Sequence, residues 1–136
     1  MNKKWFFVLT VFLLLFYANS VYASAIAALN GKWSLYGTDL QGEHVWTGYI
    51  VFNQYGKITS GELRDSSANI YKITIGQFTV TASNGKITGS FTDSDGITTN
   101  IAANLLGDQI VGVMKAANGA EEGIFHLVRN IPVPVN

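Results

Sequence analysis

Short runs of β-branched and aromatic residues, interrupted by Gly, Asn or Asp roughly every 10–14 residues, dominate the chain beyond residue 31. Apolar residues in this region do not recur at the spacing of an amphipathic helix, whereas runs of this length and composition are typical of antiparallel strands. Asn84-Gly85 and Asn118-Gly119 suit the positive φ angles of tight hairpin turns. The pattern predicts eight strands, at residues 31–37, 44–53, 57–64, 69–82, 86–92, 97–106, 109–116 and 122–129.

The predicted connections are short, so strands adjacent in sequence are expected to pair as an up-and-down meander. Three related segments, 56–61, 85–89 and 107–112, each place one Gly in a turn and another inside the following strand. Because an interior Gly weakens a flat strand, its recurrence indicates sharp coiling or bulges, and the long fourth strand is expected to bend at Gly76. Closure into a barrel also removes exposed strand edges. The sequence therefore predicts an all-β, eight-stranded antiparallel meander barrel over residues 31–129.

Residues 1–23 have the pattern of a secretory signal peptide. Two lysines precede a long apolar core, and small residues then permit cleavage after Ala23 or Ala25. An uncleaved membrane anchor is the alternative. We expect cleavage, which leaves no stable membrane span, and hence export to a bacterial periplasm or beyond the cell. The predicted parts of the chain are the signal peptide 1–23, an N-terminal segment 24–30, the barrel domain 31–129 and a C-terminal tail 130–136.

Composition excludes several classes of protein. The whole chain has nine basic and nine acidic residues and no cysteine. Without residues 1–23, which contain two of the lysines, seven basic residues remain against nine acidic ones. A slightly acidic chain is not a polybasic nucleic-acid binder, and without Cys it has neither disulfides nor thiolate metal sites. We therefore expect no nucleic-acid partner and no cofactor.

The segment Gly31-Lys32-Trp33 at the start of the first predicted strand, together with Arg129 at the end of the last, resembles the calycin superfamily. That superfamily includes lipocalins, fatty-acid-binding proteins, avidins and small periplasmic metalloprotease inhibitors. The resemblance implies that Trp33 closes one end of the barrel and that Arg129 stacks on it as a cation–π pair. It does not extend to the biotin site of avidins, because no Trp follows Trp46. The inhibitors carry a disulfide, which this cysteine-free chain lacks.

Alternation of side chains along the strands identifies the candidate barrel interior. If Trp33 and Arg129 face inward, the favoured interior also contains Leu35, Ile87, Leu127 and five apolar side chains that could contact a ligand. These candidate ligand-binding residues are Trp46, Ile50, Phe52, Phe91 and Phe125. An eight-stranded barrel can be filled by such side chains or can leave room for one small ligand. The sequence leaves both alternatives open.

The last two predicted strands carry apolar residues on both faces. Within residues 109–116 and 122–129, apolar side chains occupy odd and even positions alike. A barrel strand of this kind must bury its outer face against something else. We expect a homo-oligomer formed through these two strands. Cover by residues 24–30 or by the Pro-containing tail 131–136 is the alternative.

Candidate catalytic and metal-binding residues are few. His44 and His126 lie far apart in sequence, and no ligand pattern accompanies either of them, so we interpret both as surface residues and expect no metal site. The acidic pairs Asp93/Asp95 and Glu121-Glu122 fall in turns, where we interpret them as solvated loop residues. No catalytic residue is predicted.

Three functions are compatible with these features. The first is binding of an apolar or aromatic small molecule inside an exported barrel. The second is a protein-binding module, such as a periplasmic inhibitor or an envelope assembly or structural protein, acting through its outer face and N-terminal segment. The third is a cofactor-free isomerase or cyclase, which requires a polar cluster inside the barrel.

Overall fold

The computed structural model of the protein describes residues 28–131, which form eight antiparallel strands and no helix. Each strand begins and ends within two residues of its predicted position. The strands are β1 (Gly31–Asp39), β2 (Val45–Phe52), β3 (Ile58–Asp65), β4 (Ile70–Val80), β5 (Lys86–Asp93), β6 (Thr98–Leu106), β7 (Gln109–Ala116) and β8 (Glu122–Arg129).

Every strand pairs with its neighbours in sequence, and β1 pairs with β8 to close the barrel. The closing register extends from Trp33 opposite Arg129 to Asp39 opposite Gly123. The prediction of an eight-stranded all-β meander barrel is therefore confirmed.

Several sequence-based predictions lie outside the described residues. These are the signal peptide 1–23 with its cleavage after Ala23 or Ala25, residues 24–27 of the N-terminal segment, and residues 132–136 of the tail. Between residues 28 and 131, no helix is long and apolar enough to cross a membrane.

Two strands are bent by bulges. In β4 the register against β5 shifts between Ile73 and Ile75, so that Ile73 and Gly76 both face inward although three positions separate them. The predicted bend at Gly76 is thus a bulge that lies immediately before it. A second register shift interrupts the pairing of β2 with β3, after Val51. Bulges of this kind increase local twist and allow a sheet to close on itself.

Some interior glycines allow neighbouring strands to approach more closely than a side chain would permit. A Cβ atom at Gly48 would overlap the carbonyl oxygen of Glu62 on β3, and one at Gly112 would overlap the carbonyl oxygen of Ala102 on β6. The obstacle is backbone in both cases, so it cannot rotate away. These glycines are therefore required by the tight coiling of a small barrel.

The half of the barrel that contains the start of β1 and the end of β8, here called the closed end, is filled by side chains. Trp33 and Phe52 are almost completely buried there, and the Phe52 ring packs against the Phe78 ring with centroids 4.9 Å apart. Leu29, also fully buried, precedes β1 and covers this end. Other fully buried side chains of the interior are Ile50, Val80, Ile87, Ile110 and Leu127.

Hydrogen bonds hold the turn 28–30 against the closed end. The indole Nε1–H of Trp33 donates to the carbonyl oxygen of Leu29 at 2.8 Å. Arg129 lies with its guanidinium 4.3 Å from the centroid of the Trp33 ring and donates to the carbonyl oxygens of Asn30 and Ala28. Trp33 and Arg129 thus occupy the positions that closure of this end requires.

The outer surface of β1, β7 and β8 carries a group of exposed apolar side chains, which we call the outer apolar face. Cross-strand pairing places Val113 opposite Ile124, and Tyr36 opposite His126. The members of the face are Tyr36, Val111, Val113, Ile124 and Val128, with exposed fractions of 42–54%. Among residues 28–131, the apolar outer positions of the last two strands are therefore exposed, as the lack of polar alternation predicts.

Candidate ligand cavity

The opposite end of the barrel, here called the open end, contains a cavity. Four loops surround it, at residues 40–44, 66–69, 94–97 and 117–121, because alternate connections of a meander lie at the same end. The cavity has a volume of about 360 Å³. That volume lies within the range of about 300–1,000 Å³ that is usual for sites that bind small molecules.

Aromatic and aliphatic side chains form the wall of the cavity. Trp46, Tyr71 and Phe91 supply three aromatic rings from the open-end parts of β2, β4 and β5. Each lies on the inward face of its strand. Phe91 is itself buried, whereas Tyr71 and Trp46 are partly buried and share a face with the buried residues Ile73 and Ile50. The wall also includes the aliphatic and small apolar residues Leu35, Leu63, Ile97, Met114, Ala116 and Gly123.

The five predicted ligand-binding residues separate into two groups. Trp46 and Phe91 line the cavity. Ile50 and Phe52 lie in the filled half of the interior, where they are 0% and 1% exposed. Phe125 is buried and faces inward but does not belong to the cavity wall. The structure therefore brings two of the five together with side chains that the sequence did not single out, notably Leu63, Tyr71 and Met114.

Acidic side chains surround the opening. Five of them line the cavity and are called here the acidic rim: Asp65, Asp93, Asp95, Glu121 and Glu122. The sequence predicts only that the pairs Asp93/Asp95 and Glu121-Glu122 are solvated loop residues, and nothing in it singles out Asp65. The predicted strand order could have placed these acids together. In a meander every second loop lies at the same end of the barrel, and these acids lie in or beside alternate loops.

Asp65 is held by a network of hydrogen bonds at the end of β3. Its carboxylate accepts from the backbone N–H groups of Ser67 and Asn69, each at 2.9 Å, from the side-chain amide of Asn69 at 3.1 Å and from the Tyr71 hydroxyl at 3.0 Å. Donors of this kind favour the charged carboxylate, and the side-chain amide of Asn69 contributes most to lowering the pKa of Asp65. The hydrogen bond from the Tyr71 hydroxyl to the Asp65 carboxylate raises the pKa of Tyr71, because the negative charge of Asp65 holds the hydroxyl proton in place.

His44 joins two loops across the opening. Its Nδ1 atom lies 3.2 Å from a carboxylate oxygen of Asp39 and 3.2 Å from one of Glu121. Asp39 is buried, and its carboxylate also accepts the backbone N–H groups of Glu43 at 2.8 Å and His44 at 3.2 Å. These contacts tie the loop 40–44 to the loop 117–121 beside the cavity.

His126 lies away from the cavity, on the outer surface of β8, where its Nε2 atom is 3.0 Å from the side-chain oxygen of Gln109. Across the described part of the chain, no group of three or more His, Asp or Glu side chains is arranged so that it could hold a metal ion.

No protein-family model matches the chain, and no curated protein is similar to it at a significant level. Solved structures do match it. A de novo designed fluorescence-activating β-barrel is 16% identical, with a TM-score of 0.65, over 78% of this chain and 97% of that chain. The redesigned barrel mFAP1 bound to DFHBI is 17% identical, with a TM-score of 0.66, over 77% of this chain and 98% of that chain. The redesigned barrel b11L5F_LGL is 15% identical, with a TM-score of 0.62, over 79% of this chain and 96% of that chain.

The chain has the fold of these designed barrels. At such low identity the likeness concerns the backbone, and it does not extend to particular side chains of the cavity.

Proposed function

We propose that this protein binds an apolar or aromatic small molecule in the open half of its barrel. The observation that carries the proposal is the cavity of about 360 Å³ with the rings of Trp46, Tyr71 and Phe91 in its wall. Transfer of apolar surface from water into such a cavity is favourable by about 25 cal/mol per Å². Aromatic side chains add preferred ring-stacking geometries for a flat ligand.

Two further observations support binding inside the barrel. A redesigned barrel of the same fold, mFAP1, is bound to DFHBI in its structure. The Arg129 guanidinium, 4.3 Å from the centroid of the Trp33 ring, supports the resemblance to the calycin superfamily on which the proposal draws. We therefore propose a calycin-like binding protein in which one end is a rigid plug and the other admits the ligand.

Fluorescence of Trp46 tests this function. Titration with uncharged long-chain, aromatic and isoprenoid compounds should quench or shift the emission of Trp46, because this ring lies in the cavity wall. Trp33 is fully buried at the closed end and should not respond. The Trp46→Phe variant therefore serves as the control and should lose the signal. A flat response to every uncharged compound, together with no heat of binding in calorimetry, contradicts the proposal.

We also propose that the protein is exported and acts in the periplasm or outside the cell. The support is the sequence of residues 1–23, with its lysine pair, apolar core and small residues before Ala23 and Ala25. Mass spectrometry of the protein recovered from a bacterial periplasm should give a mature N-terminus at residue 24 or 26. Recovery of the intact chain from membranes would contradict export with cleavage.

The outer apolar face favours a second function, which is association with protein. Val113 and Ile124 lie opposite each other on adjacent strands, 50% and 54% exposed, and the face extends to β1 through Tyr36. We propose that copies of this chain associate through β7 and β8 by burying this face. The cavity lies at the end of the barrel and the face lies on its side, so the two functions are compatible.

A further inference from the structure

The two ends of the barrel differ in charge. Seven of the nine acidic residues of the chain lie at the open end: Asp39, Glu43, Asp65, Asp93, Asp95, Glu121 and Glu122. The other two are Glu62, on the outer surface of β3, and Asp108, at the closed end. Four of the seven basic residues within 28–131 lie at the closed end, namely Lys32, Lys57, Lys86 and Arg129. A charged ligand therefore meets a negative potential when it approaches the cavity.

The cavity itself is lined by acids and by no strongly basic residue. Its lining, which lies entirely within the described chain, includes the five carboxylates of the acidic rim and contains neither Lys nor Arg. The basic residues nearest the open end are Arg64, Lys72 and Lys115, and all three lie at exposed, outward positions of their strands. Apart from His44, which lines the cavity and contacts Glu121, the basic side chains near the rim therefore face the opposite surface of the sheet.

Hydrogen bonds hold two of the five rim carboxylates, those of Asp65 and Asp93, in place. Asp93 accepts hydrogen bonds from the backbone N–H groups of Asp95 at 2.9 Å and Ile97 at 3.1 Å, and Asp65 is held by the four donors described above. Among the ion pairs within residues 28–131, none includes Asp93, Asp95 or Glu122. Only Glu121 is paired, with His44.

The aromatic residues of the cavity wall are compatible with the same sign of charge. Trp46, Tyr71 and Phe91 line the cavity, and an aromatic ring attracts a cation that lies over its face. An anion would meet the carboxylates of the acidic rim. A neutral ligand would gain only from burial of its apolar surface.

From the rim and the wall together we infer that the ligand is an amphiphile with a positively charged group: an aromatic or aliphatic body that fills the cavity and an amine or other organic cation that lies among the rim carboxylates. This inference rests on the proposed function, because it specifies the chemical class of the ligand in the same cavity.

Three probes of nearly equal shape test the sign of the ligand charge: 1-naphthylmethylamine, 1-naphthalenemethanol and 1-naphthoate. Calorimetric titration of the full chain at neutral pH should give the tightest binding for the amine. A charge about 7 Å from the cation, in a medium between protein and water, changes affinity about three- to eightfold. Several such carboxylates should therefore favour the amine over the alcohol by about tenfold or more, and the alcohol over the naphthoate.

Variants that remove rim charge without removing hydrogen bonds sharpen the test. Asp95→Asn and Glu122→Gln should together weaken binding of the amine about tenfold and leave the affinity of the alcohol unchanged. Glu62→Gln is the matched control, because it removes one negative charge from the outer surface of β3 and should not alter either affinity. Raising the salt concentration to about 1 M, where the Debye length is about 3 Å, should reduce the preference for the amine.

Each outcome has a separate meaning. Equal affinity for the three probes, or tighter binding of the naphthoate, overturns the inference about ligand charge and leaves the proposed function intact. Unchanged amine affinity in the Asp95/Glu122 double variant also overturns it. Binding of none of the three, by a protein whose circular dichroism shows a folded barrel, contradicts the proposed function and the inference together.

Discussion

The guanidinium of Arg129 lies 4.3 Å from the centroid of the Trp33 ring, and the same side chain hydrogen-bonds to the carbonyl oxygens of Ala28 and Asn30 and, at 2.8 Å, to the carboxylate of Asp108. One residue at the end of β8 therefore fixes the start of β1, the turn before it and the turn between β6 and β7. With the filled half of the interior, this arrangement closes one end of the barrel and leaves the other free for binding.

Loss of the Arg129 side chain should destabilise the fold strongly. Arg129→Met retains apolar bulk over Trp33 but removes the cation–π contact and the side-chain hydrogen bonds of Arg129 to Ala28, Asn30 and Asp108. From the usual magnitudes we expect the free energy of unfolding to fall by about 2–4 kcal/mol. Urea denaturation followed by circular dichroism measures it.

The matched control is Lys32→Met. Lys32 also forms a cation–π contact, with Nζ 4.5 Å from the centroid of the Tyr49 ring, but it lies on the exposed outer surface. Contacts of that kind contribute about 0.5–1 kcal/mol. Equal losses in the two variants would show that Arg129 has no special structural role.

Alanine at Gly48 should prevent normal pairing of β2 with β3. The added Cβ would overlap the carbonyl oxygen of Glu62, which belongs to the backbone and cannot move without displacing the strand. We expect a loss of at least about 3 kcal/mol, or failure to accumulate as folded protein. Gly96→Ala is the control, because its φ of 77° is unfavourable for Ala but nothing lies within 4 Å of the new Cβ. It should cost only about 1–2 kcal/mol, so comparable losses would refute the packing argument.

Acid should weaken the turn between β3 and β4 through Asp65. Hydrogen bonds, led by that of the Asn69 side chain, hold the pKa of Asp65 below its ordinary range in the folded protein. A carboxyl group with a depressed pKa stabilises the fold above its unfolded pKa, and this contribution is lost as the pH falls through the folded pKa. Asp65→Asn should therefore reduce the steepness with which stability declines below about pH 4. Identical pH profiles for the variant and the unmodified protein would contradict this linkage.

The hydrogen bond between Tyr71 and Asp65 should be lost at high pH, when the Tyr71 hydroxyl is deprotonated. Its hydrogen bond to Asp65 raises the pKa of the Tyr71 hydroxyl. The stabilisation is complete below the unfolded pKa of about 10 and is lost as the pH rises through the higher folded value. The difference in tyrosinate absorbance between the unmodified protein and Tyr71→Phe should therefore develop only above about pH 10. A difference that develops at lower pH would refute the contact.

The outer apolar face should control self-association. Replacing Val113 and Ile124 by Lys places two positive charges at its centre, where both side chains are now exposed and apolar. If copies associate through this face, the mass measured by sedimentation should fall from that of an oligomer to that of a monomer. The free energy of unfolding should change little. The control pair Thr74→Lys and Thr79→Lys alters outward positions of β4 and should leave the mass unchanged. A monomer already in the unmodified protein would contradict association through this face.

Much of the barrel could be predicted because its signals are local. Alternation placed Trp33, Ile50 and Phe52 inside, and turn residues set the strand limits within two positions. The cavity depends instead on which half of the interior is filled by side chains from strands far apart in sequence, and which half is left empty. Phe78 fills the closed end beside Phe52, yet the bulge at Ile73–Ile75 breaks the alternation that would have identified it.

The acidic rim was missed for a different reason. Each carboxylate is an ordinary turn residue within its own hairpin, and Asp65 and Asp93 do accept the hydrogen bonds expected of such turns. The carboxylates form one rim only because alternate loops lie at the same end of the barrel. Predicting the rim therefore requires the strand topology, since the sequence of one hairpin does not show which other loops lie beside it.

The two groups of predicted interior residues should respond differently to mutation. Trp46 lines the cavity and is only partly buried, so Trp46→Ala should weaken binding of an aromatic ligand about tenfold or more and change stability less. Phe52 is 1% exposed in the filled half, so Phe52→Leu should destabilise the fold by about 1–2 kcal/mol and leave the ligand affinity unchanged. Calorimetric binding and urea denaturation of both variants separate the effects. If Phe52→Leu lowered the affinity as much as Trp46→Ala, the ligand would have to bind at the closed end. The separation of the barrel into a filled closed end and a cavity at the open end would then be wrong.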